Sequence, residues 1–183
     1  MVRCERMLSG VRLQPRLLFF AKPMGVLNIL TAEHVSVSTE AEGVVSSKAD
    51  ALQRLATLLA RDSSDIPVHE IERVLAERER LQSTGVGGGV AIPHGGIDRL
   101  KRQIGALLIC PKPIEFDAID GAPVSILFAV IGPKGATGEH LKMLARVSRL
   151  LRDDRFRERL LKASSGSAAF SLIAAEEAKG ASS

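Results

Sequence analysis

Val124-Ser125-Ile126-Leu127-Phe128-Ala129-Val130-Ile131 is an apolar run broken by a single hydroxyl, opened by Pro123 and closed by Gly132-Pro133. A run of this length between such breakers suits a strand buried on both faces, because a half-exposed strand would alternate with polar residues. Ile104 to Cys110 is a second run of the same kind, ending at Pro111. On either side of the two runs the spacing turns helical. Ser47 with Asp50 three residues later predicts a capped helix start, and Leu52, Leu55, Leu58 and Leu59 carry the helix through residue 60. Val68, Ile71, Val74 and Leu75 predict a second helix, introduced by Asp65 and Pro67 and closing near Leu81. Thr137 is expected to cap a third, with Leu141, Leu144, Ser148 and Leu151 on one face as far as Asp153. Arg155 to Lys162 and Ala168 to Ala178 are expected as shorter helices, separated by a serine-rich loop. Strands alternating with helices on this scale predict an α/β layer fold around a covered sheet.

The bulk properties bound the function classes. With 183 residues, 45% apolar and 25% charged, the chain fits one domain with a sizeable core and neither a disordered nor a fibrous protein. The net charge of +4 is not spread along it. Arg3, Arg6, Arg12, Arg16 and Lys22, against Glu5 alone, account for all of it within residues 1–23, so the remainder is neutral. Without Tyr or Trp and without a further basic block, no stacking platform or phosphate-tracking groove for nucleic acid is expected. Cys4 and Cys110 make no disulfide framework, which fits a reducing cytoplasm. No stretch approaches the length of a membrane span, and Leu17 to Ala21 is too short for a signal-peptide core. A cytoplasmic protein without stable membrane insertion is therefore expected. Residues 1–23 read as a basic leader outside the fold, with Met24 an alternative start, residues 24–178 as the domain, and residues 179–183 as a frayed end.

The stretch richest in chemistry is Ser83-Thr84-Gly85-Val86-Gly87-Gly88-Gly89-Val90-Ala91-Ile92-Pro93-His94-Gly95. It lacks the Gly-Lys-Ser/Thr ending of a nucleotide-binding P-loop. It also fails as a dinucleotide fingerprint, since Val90 stands where the third glycine belongs and a strand follows in place of a helix. What remains is a pliable loop of small residues leading into a short strand, Val90 to Ile92, with His94 at its end. A neutral imidazole exposed there is a competent nucleophile toward phosphorus at pH 7. Spacing alone leaves His94 open between that role and a hydrogen-bonded turn residue. Neither it nor His140 has a Cys, Glu or third His at ligand spacing, so no metal and no cofactor is expected, and His34 and His69 read as structural.

The same stretch resembles the active-site signature of the mannitol/fructose-type enzyme IIA domains of the phosphotransferase system. Phe116-Asp117-Ala118-Ile119-Asp120-Gly121-Ala122-Pro123-Val124 and His140-Leu141-Lys142-Met143-Leu144-Ala145-Arg146-Val147-Ser148 match further blocks in the same order, so the similarity covers residues 27 to 177. The resemblance implies a central mixed β-sheet with helices on both faces. It implies phosphorylation of His94 by a phosphorylated histidine carrier protein, with His140 as a second active-site histidine that stabilises the phosphoryl group. An arginine near the end of the preceding helix belongs to the pattern, and Arg78, next to Glu79, is the expected one over Arg80. Ser83, Thr84, Gly85, Gly87, Gly88 and Gly89 would form the phosphate-site loop, in which the family usually has Gly-Asn-Gly where this chain has Gly87-Gly88-Gly89. Loss of that Asn would loosen the loop. The block from Phe116 to Gly121 resembles the nitrogen-regulatory branch, which implies regulatory target proteins. The alternatives are a stand-alone fructose- or mannitol-type carrier feeding a IIB domain and a binding module that has lost phosphotransfer.

A chain starting at Met24 should melt within a few degrees of the full chain in a thermal scan. Loss of the folding transition would show that the leader belongs to the domain.

Overall fold

The computed structural model describes residues 25–41, 43–61 and 65–180; the basic leader, Cys4 and residues 181–183 lie outside them. Two short 3₁₀ turns, Val26–Asn28 and Ala32–His34, lead into β1 (Val35–Val37), α1 (Lys48–Ala60) and α2 (Val68–Leu81). There follow β2 (Gly85–Gly87), β3 (Val90–Ala91), β4 (His94–Ile97), β5 (Ile104–Ile114) and β6 (Val124–Pro133). Helices α3 (Thr137–Leu150), α4 (Asp154–Leu161) and α5 (Gly166–Gly180) complete the described chain.

The strands form one six-stranded mixed sheet in the order β1-β5-β6-β3-β2, with β4 also paired to β6. β6 is antiparallel to β5, and on its other edge it is parallel first to β3 at Ile126 and Leu127 and then to β4 from Val130 to Pro133. Both apolar runs are thus the central strands. Leu108, Leu127 and Ala129 point to the layer of α1 and α2, while Leu107, Phe128 and Val130 point to that of α3, α4 and α5. Phe128, fully buried, gains about 1.5–3 kcal/mol from leaving water. This is the α/β architecture with helices on both faces that the sequence led us to expect.

Several local expectations hold and several do not. Ser47 caps α1, its hydroxyl accepting from Asp50 N at 3.1 Å. Thr137 does not cap α3: it is the first helical residue, and the cap position is Ala136, which has no side-chain acceptor. β5 runs to Ile114, past the expected end at Cys110, because Pro111 and Pro113 tolerate an extended backbone although they cannot donate to the ladder, and the register slips there. α5 continues through Lys179 and Gly180, where fraying was expected; Lys179 Nζ reaches Glu176 Oε2 at 3.2 Å. Cys110 is buried in the sheet, and desolvation pushes its thiol pKa up to about 12, so it stays protonated.

The glycine run is not a loose loop but a hairpin. Gly87 pairs with Val90, leaving Gly88 and Gly89 as a two-residue connection with φ of +62° and +74°. Positive φ at both central positions is what a type I′ hairpin turn demands, and Asn-Gly and Gly-Gly are the sequences that supply it most readily. As a turn former at this position, Asn is therefore interchangeable with Gly88. The turn is held in place by Gly88 N donating to Asp120 Oδ2 at 2.9 Å.

Gly88→Asn should leave the unfolding free energy within about 1 kcal/mol, since Asn tolerates this backbone region. Gly88→Val should cost more than that, because a β-branched residue does not. Urea denaturation of the two variants measures the difference.

Candidate active site

His94 opens β4, and its position follows from pairing with Val130 of β6. The sequence placed it at the end of a strand; it begins one, because the chain leaves β3 after Ala91 and re-pairs with β6 further along. Helix α2 lies directly over this point. A Cβ on Gly95 would stand 2.3 Å from Val74 Cγ1, so only glycine permits the approach. One helical turn beyond Val74, Arg78 donates Nε–H to His94 Nε2 at 3.2 Å, while its Nη1 donates to Gln82 O at 2.8 Å. On the other side of the ring, His94 Nδ1 lies 2.8 Å from Ile92 O. A carbonyl only accepts and a guanidinium only donates, so the proton is on Nδ1 and the lone pair on Nε2. Burial lowers the pKa of His94 below the ordinary 6.5; the hydrogen bond to Ile92 O opposes this in part, the charge of Arg78 adds to it and Glu79 opposes it most weakly, so the ring is neutral at pH 7.

His140 lies in the first turn of α3, half-buried, with its ring centroid 5.8 Å from that of His94 and the planes inclined at 48°. Burial, and then the neighbouring His94, lower its pKa as well. Its Nε2 is buried without a hydrogen-bond partner. In front of His94 opens a cleft of about 780 Å³ whose lining includes Arg78, Thr84, Gly85, Asp117 and Ile119. His140 is not part of that lining, although Leu141, Leu144, Ala145 and Ser148 of the same helix are. The exposed side chains of Val86, Ile119 and Leu141 give the cleft an apolar rim. Arg80 is exposed and His69 likewise, whereas His34 is buried.

The sequence profile of the family described as phosphoenolpyruvate-dependent sugar phosphotransferase system, EIIA 2, matches residues 28–176. The chain belongs to this family. The nitrogen regulatory protein of Bradyrhizobium diazoefficiens is 40% identical over 130 residues, which is 71% of this chain and 84% of that protein. The crystal structure of nitrogen regulatory protein IIA-Ntr from Neisseria meningitidis superposes with a TM-score of 0.72 at 36% identity, covering 80% of this chain and 97% of that one. Mannitol IIA from Escherichia coli shares the fold, with a TM-score of 0.65 at 19% identity over 79% of this chain and 98% of its own. No helix among the described residues is long and apolar enough to cross a membrane.

In this EIIA chain the loop residues divide. Gly85 and Val86 line the cleft, while Gly87, Gly88 and Gly89 form the hairpin end away from it. Ser83 and Thr84 spend their hydroxyl protons inside the protein: Ser83 Oγ donates to Phe116 O at 2.9 Å, and Thr84 Oγ1 to Glu79 Oε2 at 2.5 Å. Glu79 is the residue that sequence reading missed. The sequence pattern gives it no role beyond standing next to Arg78, yet it is 6% exposed and accepts from Thr84 N as well, at 2.9 Å, and from Lys48 Nζ at 3.0 Å. A signal was present, since Ile71, Leu75 and Glu79 follow one another at four-residue spacing along the buried stripe of α2. Lys48 also reaches Asp117 at 2.8 Å, and Asp117 has φ of +53°, the sole non-glycine positive φ among the described residues. The carboxylate of Glu79 thereby ties α1, α2 and the start of the glycine hairpin together beneath His94.

Glu79→Gln keeps the shape but removes the charge that binds Lys48 and both Thr84 donors. It should lower the unfolding free energy by about 1–3 kcal/mol in urea denaturation, the range for buried hydrogen bonds to a charged group. An unchanged midpoint would show that Glu79 is not the brace described.

Proposed function

We propose that the protein is a phosphocarrier of the nitrogen-regulatory phosphotransferase system, taking a phosphoryl group on His94 Nε2 from a phosphorylated histidine carrier protein and acting on regulatory partners according to its phosphorylation state. The observation that carries this reading is the opposed bonding of the two ring nitrogens of His94. With the proton held on Nδ1 by Ile92 O, the lone pair of Nε2 is available and lies beside a cation. In the transfer, Nε2 attacks phosphorus as the P–N bond of the donor breaks, and the donor imidazole leaves with the electron pair. No proton need move on His94, since Nδ1–H stays on the carbonyl. Arg78 exchanges its bond to the lone pair for one to a phosphoryl oxygen, and His140 stabilises the same charge. Thr84 and Ser83 act by bracing the loop, and the apolar rim suits docking of a protein donor and not of a small metabolite. The regulatory reading is favoured over sugar transport because the two nitrogen regulatory proteins above match over 84% and 97% of their length, whereas a fructose-specific EIIA component from Haloferax volcanii, 38% identical, matches over 59% of its own.

His94→Ala should abolish labelling by a radiolabelled phosphorylated carrier protein without loss of fold, and the wild-type label should be acid-labile and alkali-stable. Stoichiometric labelling of His94→Ala would refute the reading. His140→Ala should slow transfer about 100- to 1000-fold with the label still on His94, and His140→Gln should recover part of the rate. Because the pKa of His94 is lowered, the transfer rate should fall, as Nε2 becomes protonated, at a lower pH than the titration of an ordinary histidine would give, which a pH–rate profile measures.

A further inference from the structure

Beside His140 lies a polar side chain that neither the fold nor the proposed transfer accounts for. Gln103 immediately precedes β5, and because Ile104 pairs with Ile131, the next antiparallel step sets Gln103 opposite Gly132. Gln103 is 6% exposed, and neither its amide nitrogen nor its amide oxygen has a hydrogen-bond partner. His140 Nε2 is in the same condition. The two side chains meet at one place. A methyl group on Gly132 would have as its three nearest atoms Gln103 Cγ at 3.0 Å, His140 Nδ1 at 3.4 Å and Gln103 Cδ at 3.8 Å. The vacancy left by this glycine is thus shared by the amide and the imidazole.

Buried polar groups are nearly always paired, because an amide or ring nitrogen withdrawn from water without a partner is costly. An unpaired amide on one side of this glycine and, on the other, Nδ1 of an imidazole whose Nε2 is itself unpaired, next to the reacting histidine, point to a hydrogen bond belonging to another state of the site. We propose that Gln103 is a positioning residue for His140: in the phosphorylated protein its amide N–H donates to His140 Nδ1 and so holds the imidazole proton on Nε2. The polarity follows from charge. Nε2–H is then the donor for a phosphoryl oxygen, whereas an amide oxygen accepting from Nδ1–H would leave a lone pair on Nε2 and repel the anion. The inference rests on His94 accepting the phosphoryl group.

The test uses the full chain labelled with ¹⁵N-histidine, before and after phosphorylation by a phosphorylated histidine carrier protein, with ring tautomers read from long-range ¹H–¹⁵N spectra at pH 7.5. Phosphorylated wild type should show His140 as the Nε2–H tautomer. Gln103→Leu should show a mixture and accept phosphate about tenfold more slowly, the scale of one hydrogen bond, with a melting temperature close to that of wild type. Gln103→Glu, of the same shape but unable to donate, should move the proton to Nδ1. A phosphorylated wild type with His140 as Nδ1–H, which needs no variant to observe, overturns the proposal, as does the wild-type tautomer and rate in Gln103→Leu. A wild type that takes no phosphate on His94 overturns the transfer reading itself, and the two failures are told apart by peptide mapping of the label.

Discussion

Strand β6 is the constraint on which the rest depends. It hydrogen-bonds to β5 along one edge and, along the other, to β3 and then to β4. One extended apolar segment thereby fixes two separate short strands that could not hold themselves: β3 is two residues long and β4 is four, two of them glycine. Their backbone groups are satisfied only because β6 presents a ladder at the right height. Since His94 is the first residue of β4, its place is decided by the register of that ladder and not by its own neighbours in sequence.

The helices then act on what the sheet has positioned. Val74 meets Gly95, and the turn that follows sets Arg78 against His94 Nε2. Helix α3 covers the opposite face of the sheet through Met143 and Val147, and its first turn holds His140. The nucleophile candidate therefore lies between layers, with a cation contributed by one and a second imidazole by the other. Both rings are half-buried and neutral at pH 7, so their chemistry is set by which nitrogen bears the proton. At His94 this is fixed by partners of opposite hydrogen-bonding character.

Glu79 shows how such an arrangement is kept in register. A buried carboxylate is costly unless its oxygens are hydrogen-bonded, and here Lys48 donates to Oε1 and Thr84 N and Oγ1 donate to Oε2. Removing Lys48 would leave that charge uncompensated, and the same carboxylate links the helix that bears Arg78 to the hairpin that precedes His94. The strained backbone of Asp117, also bonded to Lys48, belongs to the same network.

By itself the sequence determined the long elements. The runs around Leu107 and Phe128 are apolar at every position that must be covered, and the leucines of α1 and the stripe of α2 repeat with helical period, because burial acts on each residue locally. The glycine, histidine and arginine positions were legible as a pattern resembling enzyme IIA domains. What only the tertiary structure decided are features made by partners distant in the chain. β2 and β4 are glycine-rich and have no strand signal of their own; they are strands because of β3 and β6. The three glycines at 87–89 read as pliable until their pairing showed a hairpin turn. Glu79 had no role legible in the sequence because the groups that bind its carboxylate, Lys48 and Thr84, lie outside its helix. The proton on His94 Nδ1 was likewise beyond the sequence, since a ring's tautomer is set by what touches each nitrogen, and contacts of that kind exist only once the chain has folded.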